Sequence, residues 1–395
     1  MNSVDFRVQT FATTALSACG DHASLQISFD SSNPMANCHQ VGTRSHFVVS
    51  NDWRSVMAQF GPFELIQYFV QQLQNVRPGR VLIDELNGAT ADLARMAYAL
   101  GIPTVIENEF STVEDADSLR WSTALRQSIS QQSHTQDLPV KFGYETYALG
   151  MRNHALLAQM QAPYASHFAG CARVLDVGCG TGVFLDLLTR QGITAEGVER
   201  NVQSARFAQS LGLSIHSADA LEFLARYTNH YDGLYCSHFV EHLPIDAVER
   251  LIQLCAQALQ PGGVAVFTFP DPESIRSQLL GFWRDPEHVR FYHPELIETL
   301  AQVHGLQAEF NSQHFPGRSV GPFSLHPPEA QVSPPEPPGL WSRWAKALGL
   351  ATAADVNTLQ AQNQHQQDLI AQLWQVNQTW AWEDNVVLRL RKPLA

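Results

Sequence analysis

Three stretches of the chain carry residues whose types and spacing suit chemistry. The first is Asp176-Val177-Gly178-Cys179-Gly180-Thr181-Gly182, a carboxylate followed by alternating glycines. Glycines so placed allow a tight turn and let a ligand lie against backbone with no Cβ in the way. Their spacing is GxGxG, not GxGxxG. The position that a dinucleotide loop would fill with its third glycine is Val183, so a pyrophosphate seated on the helix N-terminus is not expected. Two acids follow at strand ends. Glu199 can accept hydrogen bonds from both hydroxyls of a ribose, and Asp219, next to Ala220, from an exocyclic adenine amine.

The other two stretches are rich in histidine: Ser237-His238-Phe239-Val240-Glu241-His242-Leu243-Pro244, and Asp285-Pro286-Glu287-His288-Val289-Arg290-Phe291-Tyr292-His293. Imidazole is the side chain best matched to proton transfer near neutral pH. His242 and His288 are the first candidates for a general base, with His238 and Glu241 beside them and Arg290, Tyr292 and His293 further on. A rival use is metal ligation, because His238, Glu241 and His242 at i, i+3 and i+4 would share a helix face. The bland alternative has Glu241 at a helix start and His242 packed on Pro244. The four are assigned to proton transfer and positioning, and no metal is expected.

These residues need elements to hold them. Arg173–Val177 reads as an apolar strand feeding the glycine loop and then a helix over Val183–Arg190. Strands follow at Ala195–Val198, Leu213–Ser217, Tyr231–Cys236 and Val264–Phe269, in units of about 20–25 residues, the repeat of a doubly wound α/β sheet. The helix from Ile245 to Leu259 turns Val248, Leu251, Ile252 and Cys255 to one face, and Pro261-Gly262-Gly263 leads into the fifth strand. A sixth strand is expected around Leu306–Phe315. Asn385–Arg391 alternates like a strand, and pairing it antiparallel between the fifth and sixth would cover its apolar face.

The order LDVGCGTG, VE, ADA and LQPGG over about 171–317 resembles the class I S-adenosylmethionine-dependent methyltransferases, of the type 11/23 kind. The resemblance implies an α/β fold, a doubly wound Rossmann-like seven-stranded sheet. It also implies S-adenosylmethionine as cofactor: Asp176, Gly178, Gly180 and Gly182 would line its methionine end, Glu199 would hold the ribose, and Asp219 with Ala220 the adenine. The run FWRDPEHVRFYHPELIETLAQVHGL and the closing K-P pair are similar to methyltransferases encoded with bacterial surface-polysaccharide genes, which points to a sugar or glycan acceptor. A small metabolite methylated at oxygen or nitrogen, and a cofactor-silent scaffold, are the alternatives.

Around that core, residues 1–125 read as a small N-terminal α/β domain, with strands at Leu25–Phe29, Phe47–Ser50, Val81–Asp84 and Thr104–Ile106 and helices at Phe63–Leu73 and Ala89–Leu100. Residues 126–317 form the core with its leading helices, expected to fold without the N-terminal domain from about Asp137. Residues 318–384 are a long insertion, with a Pro-rich linker at His326–Gly339 and a Gln-rich helix from about Asp355 to Trp382 that offers a surface for a homo-oligomer. Residues 385–395 supply the final strand. The 395-residue chain is 45% hydrophobic with a formal net charge of −13, which suits packed cores and argues against a general nucleic-acid partner. Scattered cysteines, no apolar run long enough to span a bilayer and no signal-like leader set the expectation of a cytoplasmic protein.

Overall fold

The computed structural model describes residues 5–11, 25–28, 34–41, 44–50, 63–77, 80–86, 88–108, 116–132, 143–150, 152–274, 277–278, 282–314, 340–349, 353–381 and 385–394. The Pro-rich stretch 326–339 lies outside them. Among the described residues, no helix is long and apolar enough to cross a membrane.

The N-terminal sheet has six strands: β1 (Asp5–Phe11), β2 (Leu25–Ser28), β3 (Pro34–Val41), β4 (Arg44–Ser50), β5 (Arg80–Glu85) and β6 (Thr104–Asn108). Their order is β2-β3-β4-β1-β5-β6, with β4, β1, β5 and β6 parallel and β3 antiparallel to both neighbours. The sequence reading found four of these and passed over β1 and β3. Neither carries a run of apolar residues. β1 is made a strand by parallel pairing with β4 and β5, a long-range effect that local pattern does not report, and β3 by antiparallel pairing with β4, which follows it after a short turn. The helix Phe63–Val76 buries Leu65, Ile66, Phe69, Val70 and Leu73, and Gly88–Ala99 buries Leu93, Met96 and Ala97.

The second sheet has seven strands: β7 (Arg173–Val177), β8 (Thr194–Glu199), β9 (Ile215–Ser217), β10 (Tyr231–Ser237), β11 (Leu259–Pro270), β12 (Gln307–Asn311) and β13 (Asn385–Arg391). The order is β12-β13-β11-β10-β7-β8-β9. The chain steps outward from β7 to β9, then returns to β10 on the other side of β7. A crevice therefore opens beyond the carboxyl ends of β7 and β10, where open α/β sheets bind ligands. β13 enters antiparallel between β11 and β12, burying Val386, Val387, Leu388 and Leu390. Lys392 holds its end: Nζ donates to the carbonyls of Ala256 (2.8 Å) and Leu259 (2.7 Å), at the C-terminal end of the helix Ile245–Ala258.

The second sheet has core clusters of its own, and one of its helices also reaches into the N-terminal cluster. The helix Val202–Gln209 belongs to the second sheet, yet Phe207 is buried in the cluster of Leu93, Met96 and Leu100 from the N-terminal domain. The buried Arg95, bonded to Asp92 Oδ1 at 2.7 Å, lies 6.0 Å from the Phe207 ring centre. Leu125 and Ile129 join the same cluster from the helix Ala116–Gln132, which runs across position 125. Removing residues 1–136 would uncover Phe207 while leaving the clusters around Leu175 and Phe168 whole.

Candidate functional site

A cavity of about 760 Å³ opens at the crevice beyond β7 and β10, within the range that holds a small-molecule ligand. Asp176, Gly178 and Gly180 line it from the end of β7, Glu199 from the end of β8, Asp219 and Ala220 after β9, and His238, His242 and His288 from the two histidine segments. The sequence-separated groups thus meet in one space.

The glycines divide by role. Gly178 takes φ +73°, and a Cβ there would come within 2.5 Å of the Phe239 ring. At Gly180 a Cβ would strike the Arg152 guanidinium, which lies across the loop. Gly182 is a correction: it is absent from the cavity wall, and a Cβ there would meet Leu213 Cδ1 at 2.5 Å and Ala208 Cβ at 3.0 Å. It packs the loop against the next unit of the fold.

The acids are held by backbone. Glu199 accepts from the Gly180 amide (2.8 Å) and the Asn201 amide (2.7 Å), tying the strand tip to the glycine loop. Asp219 caps the short helix Ala220–Leu224, with Oδ1 accepting from Leu221 (2.9 Å) and Glu222 (3.1 Å). Its Oδ2 has no partner among the described residues, and Asp219 lines the cavity. Asp176 is buried, and burial, then the Glu199 charge, pushes its carboxyl well above the usual range.

At the other end of the cavity, β10 runs into His238, whose φ of +50° is left-handed and strained for a side chain of this size. His238 Nδ1 lies 3.1 Å from Glu241 Oε1. Glu241 itself is only 1% exposed and does not line the cavity, so its assignment to the reacting site is corrected to one of support. Its carbonyl accepts from the amides of Val289 (2.8 Å) and Arg290 (3.4 Å), joining the second histidine segment to the first. The rings of His242 and His288 then stand 4.7 Å apart. His288 Nδ1 lies 2.6 Å from the Phe282 carbonyl and donates to it, leaving Nε2 with the lone pair. Burial holds His242 below the ordinary histidine value, and its Nδ1 is buried without a partner, leaving Nε2 to act. Donor atoms of Glu241, His242 and His288 fall within 4.8 Å of one another, the grouping that the metal alternative requires. Arg290, Tyr292 and His293 do not line the cavity. Tyr292 is buried and donates to the Leu243 carbonyl at 2.6 Å, and His293 caps the helix Pro294–Val303.

Two residues of the site, and one that stands behind it, carried no sequence signal. Arg152 lines the cavity beside Gly180 and brings a cation to the glycine loop. His154 Nε2 lies 3.0 Å from Thr181 Oγ1 and its ring stacks on Phe207 at 4.6 Å; burial, then the charges of Arg152 and Arg95, lowers it to about 4, so it is neutral. Tyr235 lines the wall from β10. All three stand singly in sequence, without the spacing that marks a motif.

Residues 149–309 match a family model described as a methyltransferase domain. A stretch of 103 residues is 34% identical to a ubiquinone biosynthesis O-methyltransferase of Paracidovorax citrulli, covering 24% of this chain and 42% of that protein. The Escherichia coli protein of the same description is 29% identical over 102 residues, again 24% of this chain and 42% of the relative. The chain thus spans about two-fifths of the length of the curated relatives it matches. Among solved structures, a SAM-dependent methyltransferase from Archaeoglobus fulgidus is 24% identical, covering 61% of this chain and 95% of that one at a TM-score of 0.42. The glycine loop and the acidic strand tips fall within the matched 149–309, and these residues form a methyltransferase domain.

Proposed function

We propose that the protein transfers a methyl group from S-adenosylmethionine to an oxygen of a small acceptor, a sugar or glycan intermediate. The observation that carries this reading is one cavity with a nucleoside-binding end and an imidazole pair at the other. The residues fit the cofactor's chemistry. Gly180 lets the Arg152 guanidinium lie against the loop, where it suits an amino-acid carboxylate, Asp219 Oδ2 suits an adenine amine and Glu199 a ribose. The cofactor, when bound, supplies an already activated methyl group, so alignment of the acceptor accounts for much of the acceleration. His242, kept neutral by burial, takes the acceptor's hydroxyl proton at Nε2, and His288 holds a neighbouring hydroxyl of the acceptor through its own Nε2. The buried Glu241 holds both segments in place.

A methyl-release assay over sugar nucleotides, glycans and small phenols tests the acceptor class. Turnover with sugars supports the reading; turnover with phenols alone moves it to a small aromatic metabolite, the kind of chemistry the relatives' name indicates. Failure to bind the cofactor in calorimetry would leave a scaffold. A cytoplasmic location and a homo-oligomer belong to the same proposal. The helix Ala353–Ala381 exposes Val356, Leu359, Ile370 and Leu373 at heptad spacing, which suits a second copy of itself, and sedimentation reads that directly.

A further inference from the structure

We propose that the helix Leu340–Ala347 docks the protein on an anionic lipid surface. Trp341, Trp344 and Leu348 stand at i, i+3 and i+7, and Leu348 keeps the helical register by donating to the Trp344 carbonyl at 3.1 Å. They therefore share one face. That face is open: Trp341 is 87% exposed, Trp344 66% and Leu348 71%. Two uncovered indoles so close together form an apolar patch that water does not favour, and tryptophan is a ring suited to the headgroup level of a bilayer.

Charge selects lipid from the other occupants. The chain as a whole carries −13, yet from Pro337 to Ala354 it has no acid, and its only formal charges are Arg343 and Lys346. At helical spacing positions 343 and 346 lie outside the face that carries the tryptophans. A cationic side opposite an apolar one, in a protein otherwise acidic, gives attraction to anionic headgroups only where this helix approaches them. A second copy of this acidic chain, or an acidic protein groove without lipid, would not use both sides at once. The placement is consistent with this. The helix that follows, Ala353–Ala381, is about 43 Å long at 1.5 Å per residue and leads back to β13, so it can act as a strut between the docking helix and the catalytic sheet. Resting on the methyltransferase reading, docking would bring the cavity to an acceptor carried on a lipid.

Flotation of the full chain with phosphatidylcholine vesicles, with and without phosphatidylglycerol, tests the proposal. Binding is expected only with phosphatidylglycerol and is expected to fall at high salt. The double variant Trp341→Ser with Trp344→Ser should weaken it about tenfold or more, as should Arg343→Glu. Both changes are on exposed positions, and unchanged cofactor affinity in calorimetry confirms that the catalytic domain is intact. No flotation of the wild type, equal binding to neutral vesicles, or binding indifferent to the tryptophan pair would each overturn the proposal. So would self-association through the same tryptophans without lipid binding, seen by sedimentation. Cofactor affinity and flotation are separate readouts, so a failure of docking is distinguishable from a failure of the methyltransferase reading.

Discussion

At the scale of single residues, neighbouring glycines in one loop answer to different demands. Gly180→Asp places a carboxylate against Arg152 in the space the cofactor needs, and should weaken cofactor binding about a hundredfold or more by calorimetry. Gly182→Ala acts elsewhere. The positive φ and the approach to Leu213 should cost about 2 kcal/mol in denaturant unfolding, while the folded fraction binds the cofactor normally. The histidines differ as well. His242→Ala should lower kcat by about a hundredfold or more with little change in cofactor affinity. Because burial lowers His242, the wild-type rate should hold through neutral pH and fall as acid protonates the ring, with the midpoint below the ordinary 6.5. Glu241, Asp285 and Glu287 oppose that shift and His288 adds to it. The variant should lack this acid limb; an unchanged limb would remove His242 as the base. Exhaustive EDTA treatment should leave turnover intact, and its loss would pass the Glu241, His242 and His288 grouping to a metal ion.

Among the elements, β13 carries consequences out of proportion to its length. It fills the slot between β11 and β12 from a position 74 residues beyond Asn311, the difference of 385 and 311. Arg389 and Arg391 both reach Glu309 on β12, and Lys392 reaches the end of a helix on the other side. A chain ending at Glu383 retains every residue of the cavity but exposes two strand edges and the apolar groove left by Val386, Leu388 and Leu390. It should be insoluble or fail to bind cofactor; soluble expression with normal affinity would show that β13 is dispensable. The alternation of Asn385–Arg391 reports such a strand from sequence because period two survives whatever the partner. The weaker β1 and β3 show the limit of that signal.

Over the whole molecule, the N-terminal domain is coupled to the cofactor loop through packing. Phe207 stacks on His154, His154 is bonded to Thr181 in the loop, and the other surroundings of Phe207 come from the N-terminal helices. Arg120, from the helix Ala116–Gln132, pairs with Asp186 on the helix that leaves the loop, at 2.7 Å. Phe207→Ala should therefore cost about 3–5 kcal/mol in unfolding and loosen cofactor binding, although Phe207 does not line the cavity. Full cofactor affinity in that variant would sever the link between the two domains.

The sequence by itself determined the parts of this protein that are local. A strand running into GxGxG, acids at successive strand tips and a period-two tail all depend on residues within one or two turns of each other, and backbone geometry forces their spacing. The same reasoning set the seven-stranded sheet and where its crevice would open. Only the tertiary structure decided which side chains from distant segments meet. It turned Gly182 inward to Leu213, sank Glu241 beneath the histidines and brought Arg152 over Gly180. It also placed Phe207 in the core of another sheet. Hydrophobic pattern states that a face is buried but not what buries it, because that choice is made by packing against elements far away in the chain.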